Sequence, residues 1–545
     1  MANADTIFKQ FREHSVAEFF RKNRQMLGFA GKTRSLTTIV HEYVTNSLDA
    51  CEEGVILPDI EVKIEELEGD RCRVVVSDNG PGIPPKLVGK ALGMMLAGTK
   101  FHRYMQQRGQ QGIGATGCTM FAQITTGKPV HIKTGTGTGK IYECDLAVDL
   151  KTNRPVPANE KNYDGDFRGL VVEGEFGEAK YDKGEYGVSE YIKRTALANP
   201  HAQISFTGPG AEKVVFPRAS DKIPPKAEEI LPHPLGISTH ELVDMAHHSE
   251  DRKLTSFLTN NFSRVSSAKI EELRSLMPNF DIDKKPGELQ WAEAEEMTKA
   301  FQKMKWISPS TDALRPIGKD QIEKALLNIL NPEFMYVGDR RPKVFRGGVP
   351  FMVEAAIAHG GNSGRRTAEG AVGGSIIRYA NRAPLLFDAG GCAITEAANA
   401  IDWNRYEMRD FDAMPITVFV NFVSVHVPYT GAGKQAISDE DEILDEIKLA
   451  VMECCREVQL HLRGKARVGE REAKKKAIMR YVEQLAKDLA ELSGKGKAED
   501  IQKKLVELVE GKYKKHIEEA SLEEIAGEAA AAEHAASGEN GSDEE

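Results

Sequence analysis

The chain of 545 residues has no apolar run near the roughly 20 residues a helix needs to cross a bilayer, which excludes a spanning helix. It has no excess of positive charge. Its 72 lysines and arginines stand against 82 acids, a formal balance of −10, so any contact with nucleic acid must use local basic patches. Its seven cysteines, Cys51, Cys72, Cys118, Cys144, Cys392, Cys454 and Cys455, show no paired C-x-x-C spacing. An odd count without that spacing argues against zinc and disulfide frameworks and fits reduced thiols in a cytosol. The amino terminus lacks a basic-then-apolar signal pattern, and no 20–50-residue repeat is found. A soluble, cytoplasmic protein of three or four domains is expected, at about 100–200 residues each.

What is present is organised around Leu36–Ala50. Leu36, Ile39, Val40, Tyr43, Val44 and Leu48 are spaced as one buried stripe of an α-helix. Glu42, Asn46 and Asp49 lie four and three residues apart and share a second ridge. Alone, such a triplet reads as a solvated face, because unpaired polar groups are costly to bury. Further along come Val74-Val75-Val76-Ser77-Asp78-Asn79-Gly80-Pro81-Gly82-Ile83, then Leu96-Ala97-Gly98-Thr99-Lys100-Phe101, then Gly109-Gln110-Gln111-Gly112-Ile113-Gly114-Ala115-Thr116-Gly117. Ile60–Ile64 and Cys72–Val76 alternate as a hairpin. Parity puts Cys72, Val74, Val76 and Asp78 on one side, so Asp78 ends its strand facing the interior. Gly82 frees the backbone for a close approach to a ligand. The glycine run is not a Walker A loop, since no G-K-[ST] lies inside it. Glycine-rich backbone ahead of a helix offers N–H groups and a positive dipole end to an anion.

In this order and at these separations the three stretches resemble the GHKL ATPase superfamily of gyrase-type topoisomerases, MutL-type repair proteins, large heat-shock chaperones and sensor histidine kinases. They match its E-x-x-x-N-x-x-D helix, its D-x-G-x-G turn and its ATP lid. The resemblance implies ATP and Mg²⁺ as ligands. It places nucleotide against Asn46, Asp49, Asp78, Gly82, Lys100, Gly109, Gln110, Gln111, Gly112, Ile113, Gly114, Ala115, Thr116, Gly117 and Lys434. Within that set Glu42 is the candidate base for the attacking water, and Asn46 the magnesium ligand through its carbonyl oxygen. Asp78 reads the adenine amine, Gly112, Gly114 and Gly117 cradle phosphate, and Lys100 and Lys434 are the phosphate cations. The superfamily often carries Gly-Thr after the lid; here Gly169 is followed by Leu170, and no role is assigned there.

Ala122–Thr126, Val130–Thr134, Lys140–Leu146 and Gly169–Phe176 read as strands, Val188–Ala198 as a helix, and Ala202–Thr207 with Lys213–Pro217 as a hairpin. Together they predict a two-layer α/β sandwich. The aromatic segment 5–29 either packs on its own domain or straps onto a second copy; both readings stay open. Ala219–Pro232 reads as a linker and 235–305 as helical. His233-Pro234-Leu235-Gly236 and Asn261-Phe262-Ser263-Arg264-Val265 resemble the helix-two-turns-helix insert of topoisomerase VI B subunits, which serves as a spacer or as a contact to DNA backbone. Phe345–Phe351, Arg378–Leu386 and Val418–Pro428 resemble the transducer domain of the same family, and Tyr429–Gln435 its loop bearing the switch lysine, Lys434. Asp439 to about Leu462 reads as an amphipathic helix, 477–520 as a second charged helical stretch, and Ala529–Glu545 as a disordered acidic tail. The basic residues Arg463–Lys476 read as a solvated helix face, with DNA phosphate as the alternative.

The expected fold is thus α+β and multidomain. A GHKL (Bergerat) sandwich spans 1–222, the helical insert 229–305, an α/β transducer 306–470, and a helical extension with its tail 471–545. The resemblance implies the ATP-hydrolysing B subunit of a type IIB DNA topoisomerase. Two copies would close on ATP to pass one DNA duplex through another. Asp281-x-Asp283 and Asp410-x-Asp412 read as surface acid pairs, so cleavage is expected in a separate A subunit of an A2B2 assembly. The rival is an ATP-gated clamp of the MutL or chaperone kind without topoisomerase activity. A histidine kinase is disfavoured, because no histidine-bearing dimerisation helix precedes the ATPase motifs.

Overall fold

In Arg71–Asp78 every second residue, Cys72, Val74, Val76 and Asp78, is buried, as strand parity requires. A computed structural model of the chain describes residues 16–96, 104–109, 112–366, 370–431, 433–494 and 497–512. The N-terminal region comprises helices α1 (Val16–Lys22) and α2 (Lys32–Glu53), strands β1 (Asp59–Leu67) and β2 (Arg71–Asp78), then helices α3 (Pro85–Gly93) and α4 (Gly114–Thr126). Strands β3 (Val130–Thr136), β4 (Lys140–Asp149), β5 (Arg154–Asp164) and β6 (Arg168–Phe176), helix α5 (Val188–Ala198), and strands β7 (Gln203–Thr207) and β8 (Lys213–Phe216) complete it. The strands form one sheet in the order β5-β4-β3-β6-β2-β1-β7-β8. Only β1 and β7 pair in parallel.

Helix α2 lies on this sheet by its apolar stripe. Leu36, Ile39, Val40, Val44 and Leu48 are at most 1% exposed and share a core with Ile60, Val62, Val74, Val76, Ile132, Val172 and Ile204. Each such side chain contributes about 1.5–3 kcal/mol on burial, and that anchorage lets the opposite ridge carry polar groups. Phe29 stacks on Phe121 at 4.5 Å between ring centroids. The described end of the N-terminal segment therefore packs on its own domain; Phe8 and Phe11 lie outside the described residues.

Ala122–Thr126, expected as a strand, is instead the last part of helix α4. Ala115, Cys118, Phe121 and Ala122 are buried at helical spacing. Its threonines bond back to carbonyls four residues earlier, Thr119 to Ala115, Thr125 to Phe121 and Thr126 to Ala122. Strand β5 was not anticipated. It holds Pro155 and Pro157, is exposed along its length and sits on the sheet edge, where proline is tolerated.

Residues 217–232 are extended without helix or strand, as a linker should be. Helices α6 (Thr239–His247), α7 (Leu254–Asn261), α8 (Ser267–Leu276) and α9 (Trp291–Lys303) follow. They enclose a core of their own with Leu242, Phe257, Leu258, Phe262, Leu273, Met297 and Phe301. Ser238 and Glu241 close a capping box at the start of α6.

Next come α10 (Lys319–Leu330), β9 (Phe334–Val337), β10 (Lys343–Phe345), β11 (Val349–His359), the short pair β12 (Arg365–Arg366) and β13 (Val372–Gly373), β14 (Ser375–Ala380), β15 (Ala383–Pro384), α11 (Ala393–Asn399) and β16 (Ile416–Ser424). The second sheet runs β10-β11-β16-β14-β15, with β9 on β11. Helix α5 belongs to both regions. Tyr191 and Ile192 sit in the first core, while Leu197 and Ala198 pack with Ile322, Leu326, Tyr379 and Phe419 of the second.

Helix α12 (Asp441–Ser493) is 53 residues long, and residues 498–512 are again helical. It runs past Leu462, where a stop was expected, and through Gly464, Gly469 and the expected boundary at 470. Isolated glycines cost only about 1 kcal/mol each in a helix interior, too little to break one this long. By contacts between residues the chain divides elsewhere. Residues 403–409 and the described residues from 456 onward form a second unit, in which Gln459 bonds the Arg405 carbonyl and Arg463 meets Glu407. No helix among the described residues is long and apolar enough to cross a membrane. All seven cysteines are buried.

Gly82 was expected to admit a ligand closely. In the fold it admits another strand: a Cβ there would stand 2.2 Å from the Gly135 carbonyl oxygen, and its φ is +71°. Gly82→Ala should therefore destabilise the chain by more than the ~1–2 kcal/mol of a left-handed φ alone. Urea denaturation measures this, and an unchanged midpoint would refute the close packing of that turn.

Candidate functional site

Glu42, Asn46 and Asp49 face the same way on α2, but their surroundings differ. Glu42 is half-buried, Asn46 is exposed and Asp49 is buried. Asp78 stands at the end of β2 beneath the same helix. Ser47 Oγ donates to its Oδ2 at 2.7 Å, and the Gly80 and Leu170 amides donate to its Oδ1 at 2.9 and 3.2 Å. Burial raises the Asp78 pKa, and these three donors oppose that rise. The carboxylate is held rigidly and can accept a hydrogen bond from a ligand amine. Ser47 was not singled out from the sequence, although its place beside Asn46 on the inner flank of α2 carries the signal. Leu170, left without a role, takes part through its amide. Thr134 ties β3 to the turn by accepting from Ile83 N at 2.8 Å and donating to Ile83 O at 3.1 Å.

The glycine run meets α2 directly. A Cβ on Gly114 would lie 1.7 Å from Glu42 Oε2, so the first turn of α4 rests on that carboxylate. An anion at a helix N-terminus is favoured by the dipole and by the unpaired amides. The same first turn, from Gly112 and Ile113 through Thr116, can hold phosphate through its amides; the Gly117 amide, expected there, is taken by the Ile113 carbonyl at 2.7 Å, and its Cα faces Leu27 and Phe29. Thr116 and Ala115 point away: both are buried, and the Thr116 hydroxyl donates to the Met94 carbonyl at 3.1 Å. Lys100, Gln110 and Gln111 lie outside the described residues.

Lys434 reaches this place from the second sheet. It follows β16 on a loop closed by a bridge between Tyr429 and Ile437, and its own φ is +51°. Its Nζ is 3.5 Å from the Arg108 carbonyl oxygen, just ahead of Gly109. His41, next to Glu42, was overlooked. Burial lowers its pKa; the Glu42 charge raises it and Lys434 lowers it further.

Asp49, expected at the ligand, is paired with Arg108. Arg108 Nη1 is 2.7 Å from Asp49 Oδ1, and its Nη2 is 2.7 Å from Glu52 Oε1 and 2.5 Å from Asn199 Oδ1. Burial alone would raise the pKa of Glu52. Arg108 and Arg382, with His201, overcome this and hold it well below the usual carboxylate range. Arg108 was missed by sequence reasoning. Its signal was a lone arginine before a glycine run, in a chain whose main helix ends in Asp49, Glu52 and Glu53.

No group of three or more His, Cys, Asp or Glu that could hold a metal ion occurs among the described residues. A magnesium ion here would lean on phosphate, with the exposed Asn46 carbonyl as one protein ligand, which fits its preference for few protein ligands and retained waters. Asp283 is paired with Lys253 at 3.3 Å and Arg274 at 3.2 Å, an ordinary surface acid.

Residues 31–150 match the model of the histidine kinase-, DNA gyrase B-, and HSP90-like ATPase, and residues 309–476 that of the topoisomerase VI B subunit transducer. A Pyrococcus horikoshii protein, named as the B subunit of type 2 DNA topoisomerase 6, is 43% identical over 571 residues, covering 96% of this chain and all of that one. The protein of the same name from Methanothermobacter thermautotrophicus is 46% identical over 497 residues, covering 90% of this chain and 94% of its own. That from Thermococcus kodakarensis is 42% identical over 572 residues, covering 96% and 100%.

Two outcomes follow from this geometry. Gly114→Ala should displace the Glu42 carboxylate and cut ATP turnover at least about tenfold, a ~1.4 kcal/mol effect on the barrier; turnover at the parent rate would separate Glu42 from the lid helix. Glu52→Gln should lower stability at neutral pH by about 3–5 kcal/mol, since it strands buried arginine charge. The Glu52 pKa is depressed, so its contribution is present above the ordinary 4.5 and is lost as pH falls through the folded value. Urea midpoints of the two proteins should converge in acid; a gap independent of pH would contradict the ionic role.

Proposed function

The chain belongs to the family of type 2 DNA topoisomerase 6 B subunits, and we propose on that premise how its residues bind ATP, hydrolyse it and use it to gate DNA passage. It is the ATP-driven subunit of a type II DNA topoisomerase and works with an A subunit that cuts DNA. The observation that carries the reading is the meeting of three separate stretches at one point. Glu42 of α2 touches Gly114 of α4, and Lys434 of the second sheet reaches the Arg108 carbonyl ahead of the same glycine run.

Asp78 accepts the adenine exocyclic amine, held in place by Ser47 and two backbone amides. The amides of Gly112 to Thr116 bind the phosphates at the start of α4. Asn46 would hold Mg²⁺ through its carbonyl oxygen, and the bound ion would neutralise charge on the phosphate oxygens. Glu42 takes the proton of the attacking water. Lys434 leaves the Arg108 carbonyl for the γ-phosphate, so the second sheet senses whether that phosphate is present. A ligand moves a conformational equilibrium only by binding one state better than the other. Contact between Lys434 and the γ-phosphate is such a difference, available to ATP and not to ADP. ATP binding closes two copies of the chain, and the closed pair gates a duplex through the break made by two A subunits, an A2B2 assembly.

Mixing the purified chain with its A partner should give ATP-dependent relaxation of supercoiled plasmid; ATP hydrolysis without relaxation would favour a clamp. Glu42→Ala should bind a non-hydrolysable ATP analogue and dimerise as the parent does, while hydrolysis falls by about 10²–10⁴-fold, the usual yield of a positioned base. Unchanged turnover would remove Glu42 from that role.

A further inference from the structure

The turn between β14 and β15 holds only Asn381 and Arg382, with Ala380 paired to Ala383 across it. Both residues have positive φ, +48° and +67°. In two-residue hairpins of this kind the second position is ordinarily glycine, and a left-handed arginine is strained. The surroundings hold it there. The Arg382 amide donates to Asn421 Oδ1 at 3.1 Å, its carbonyl accepts from Asn199 Nδ2 at 3.2 Å, and its Nη2 is 3.0 Å from Glu52 Oε2. Asn381 Nδ2 donates to the Gln107 carbonyl at 3.1 Å. The tip thus grips α2 and the two residues ahead of Gly109 together.

The base of the same hairpin grips the other party. Leu386 N and Phe387 N donate to Gln435 Oε1 at 3.0 and 3.1 Å, and Arg378 Nη1 lies 3.4 Å from the Gln435 carbonyl. Gln435 directly follows Lys434. One hairpin therefore fixes both the lysine loop and the carbonyl on which the lysine rests.

We infer that Arg382 is a positioning residue for ATP hydrolysis: by sharing the Glu52 carboxylate with Arg108 it sets the register between Lys434 and the start of the lid. This rests on the reading of Lys434 as the γ-phosphate contact. Arg382 touches no substrate; it decides how often Lys434 arrives once nucleotide is bound. Loss of such a contact lowers kcat rather than affinity, because the lysine acts after binding. A hairpin that merely packs two domains would not make its effect depend on Lys434.

The test is a double-mutant cycle on the full-length chain, read by steady-state ATPase kinetics. Arg382→Gly suits the turn, since Asn-Gly is its favoured sequence, and Glu52 keeps Arg108 and His201 as partners. We expect kcat to fall about tenfold, within the span of ordinary coupling between sites, with KM within about twofold. In a Lys434→Ala background the same change should alter kcat less than about twofold. Arg382→Lys, which keeps the charge without the planar fork, should fall between the two at unchanged KM. An unchanged kcat, a rise in KM alone, or an equal loss in both backgrounds overturns the inference. Parent-level turnover in Lys434→Ala alone overturns the role given to Lys434, and this inference with it.

Discussion

The structure turns on charge taken out of water at one seam. Arg108 and Arg382 are buried, and both lean on Glu52 near the end of α2, with Asp49 beside them. Such a cluster is a weak source of net stability, since desolvation offsets most of the attraction. Its force lies in what it forbids. A displaced partner leaves a buried charge without compensation, so neighbouring arrangements are far more costly than this one. The three chain segments that must agree on a position are a helix of the first domain, the approach to the lid and a hairpin of the second. They are the ones this cluster joins.

Helix α5 reinforces the seam by apolar means. Its middle belongs to the first core and its end to the second, and the Tyr379 hydroxyl donates to the Arg194 carbonyl at 2.8 Å. Burial by α5 fixes how close the domains stand, and the ion pairs fix their register. On the far side, Glu354 accepts from the Ile317 and Gly318 amides and from Asn421, whose Oδ1 in turn accepts from the Arg382 amide. A side-chain network thus runs from the middle of the second sheet to the tip that meets α2.

What the sequence disclosed was local and periodic. The stripe on α2 obeys a period of 3.6, and the parity of β2 put Asp78 on the inner side; both depend only on near neighbours. What stayed hidden was set by distant ones. Arg108 finds Glu52 across 56 residues, Ser47 finds Asp78 across 31, and Arg382 finds Glu52 across 330. No spacing rule reaches so far, and the arginine that meets Asp49 was invisible in the sequence. Two local errors have a different cause. The threonines of α4 carry strand propensity that tertiary packing overrode. The prolines of β5 hid an edge strand that a search for alternating apolar residues passes over.

The thiols carry one more consequence. Cys51 lies near Asp78 and Cys118 near Glu42, and both side chains are fully buried. Burial pushes Cys51 up to about 12 and Cys118 well above its ordinary value, and nearby carboxylates add to the rise. Peroxide and alkylating agents attack the thiolate, which is scarcely populated at such values. The two thiols beside the site's carboxylates are thus kept in their unreactive form, and the site's chemistry is insulated from oxidants that act through thiolates.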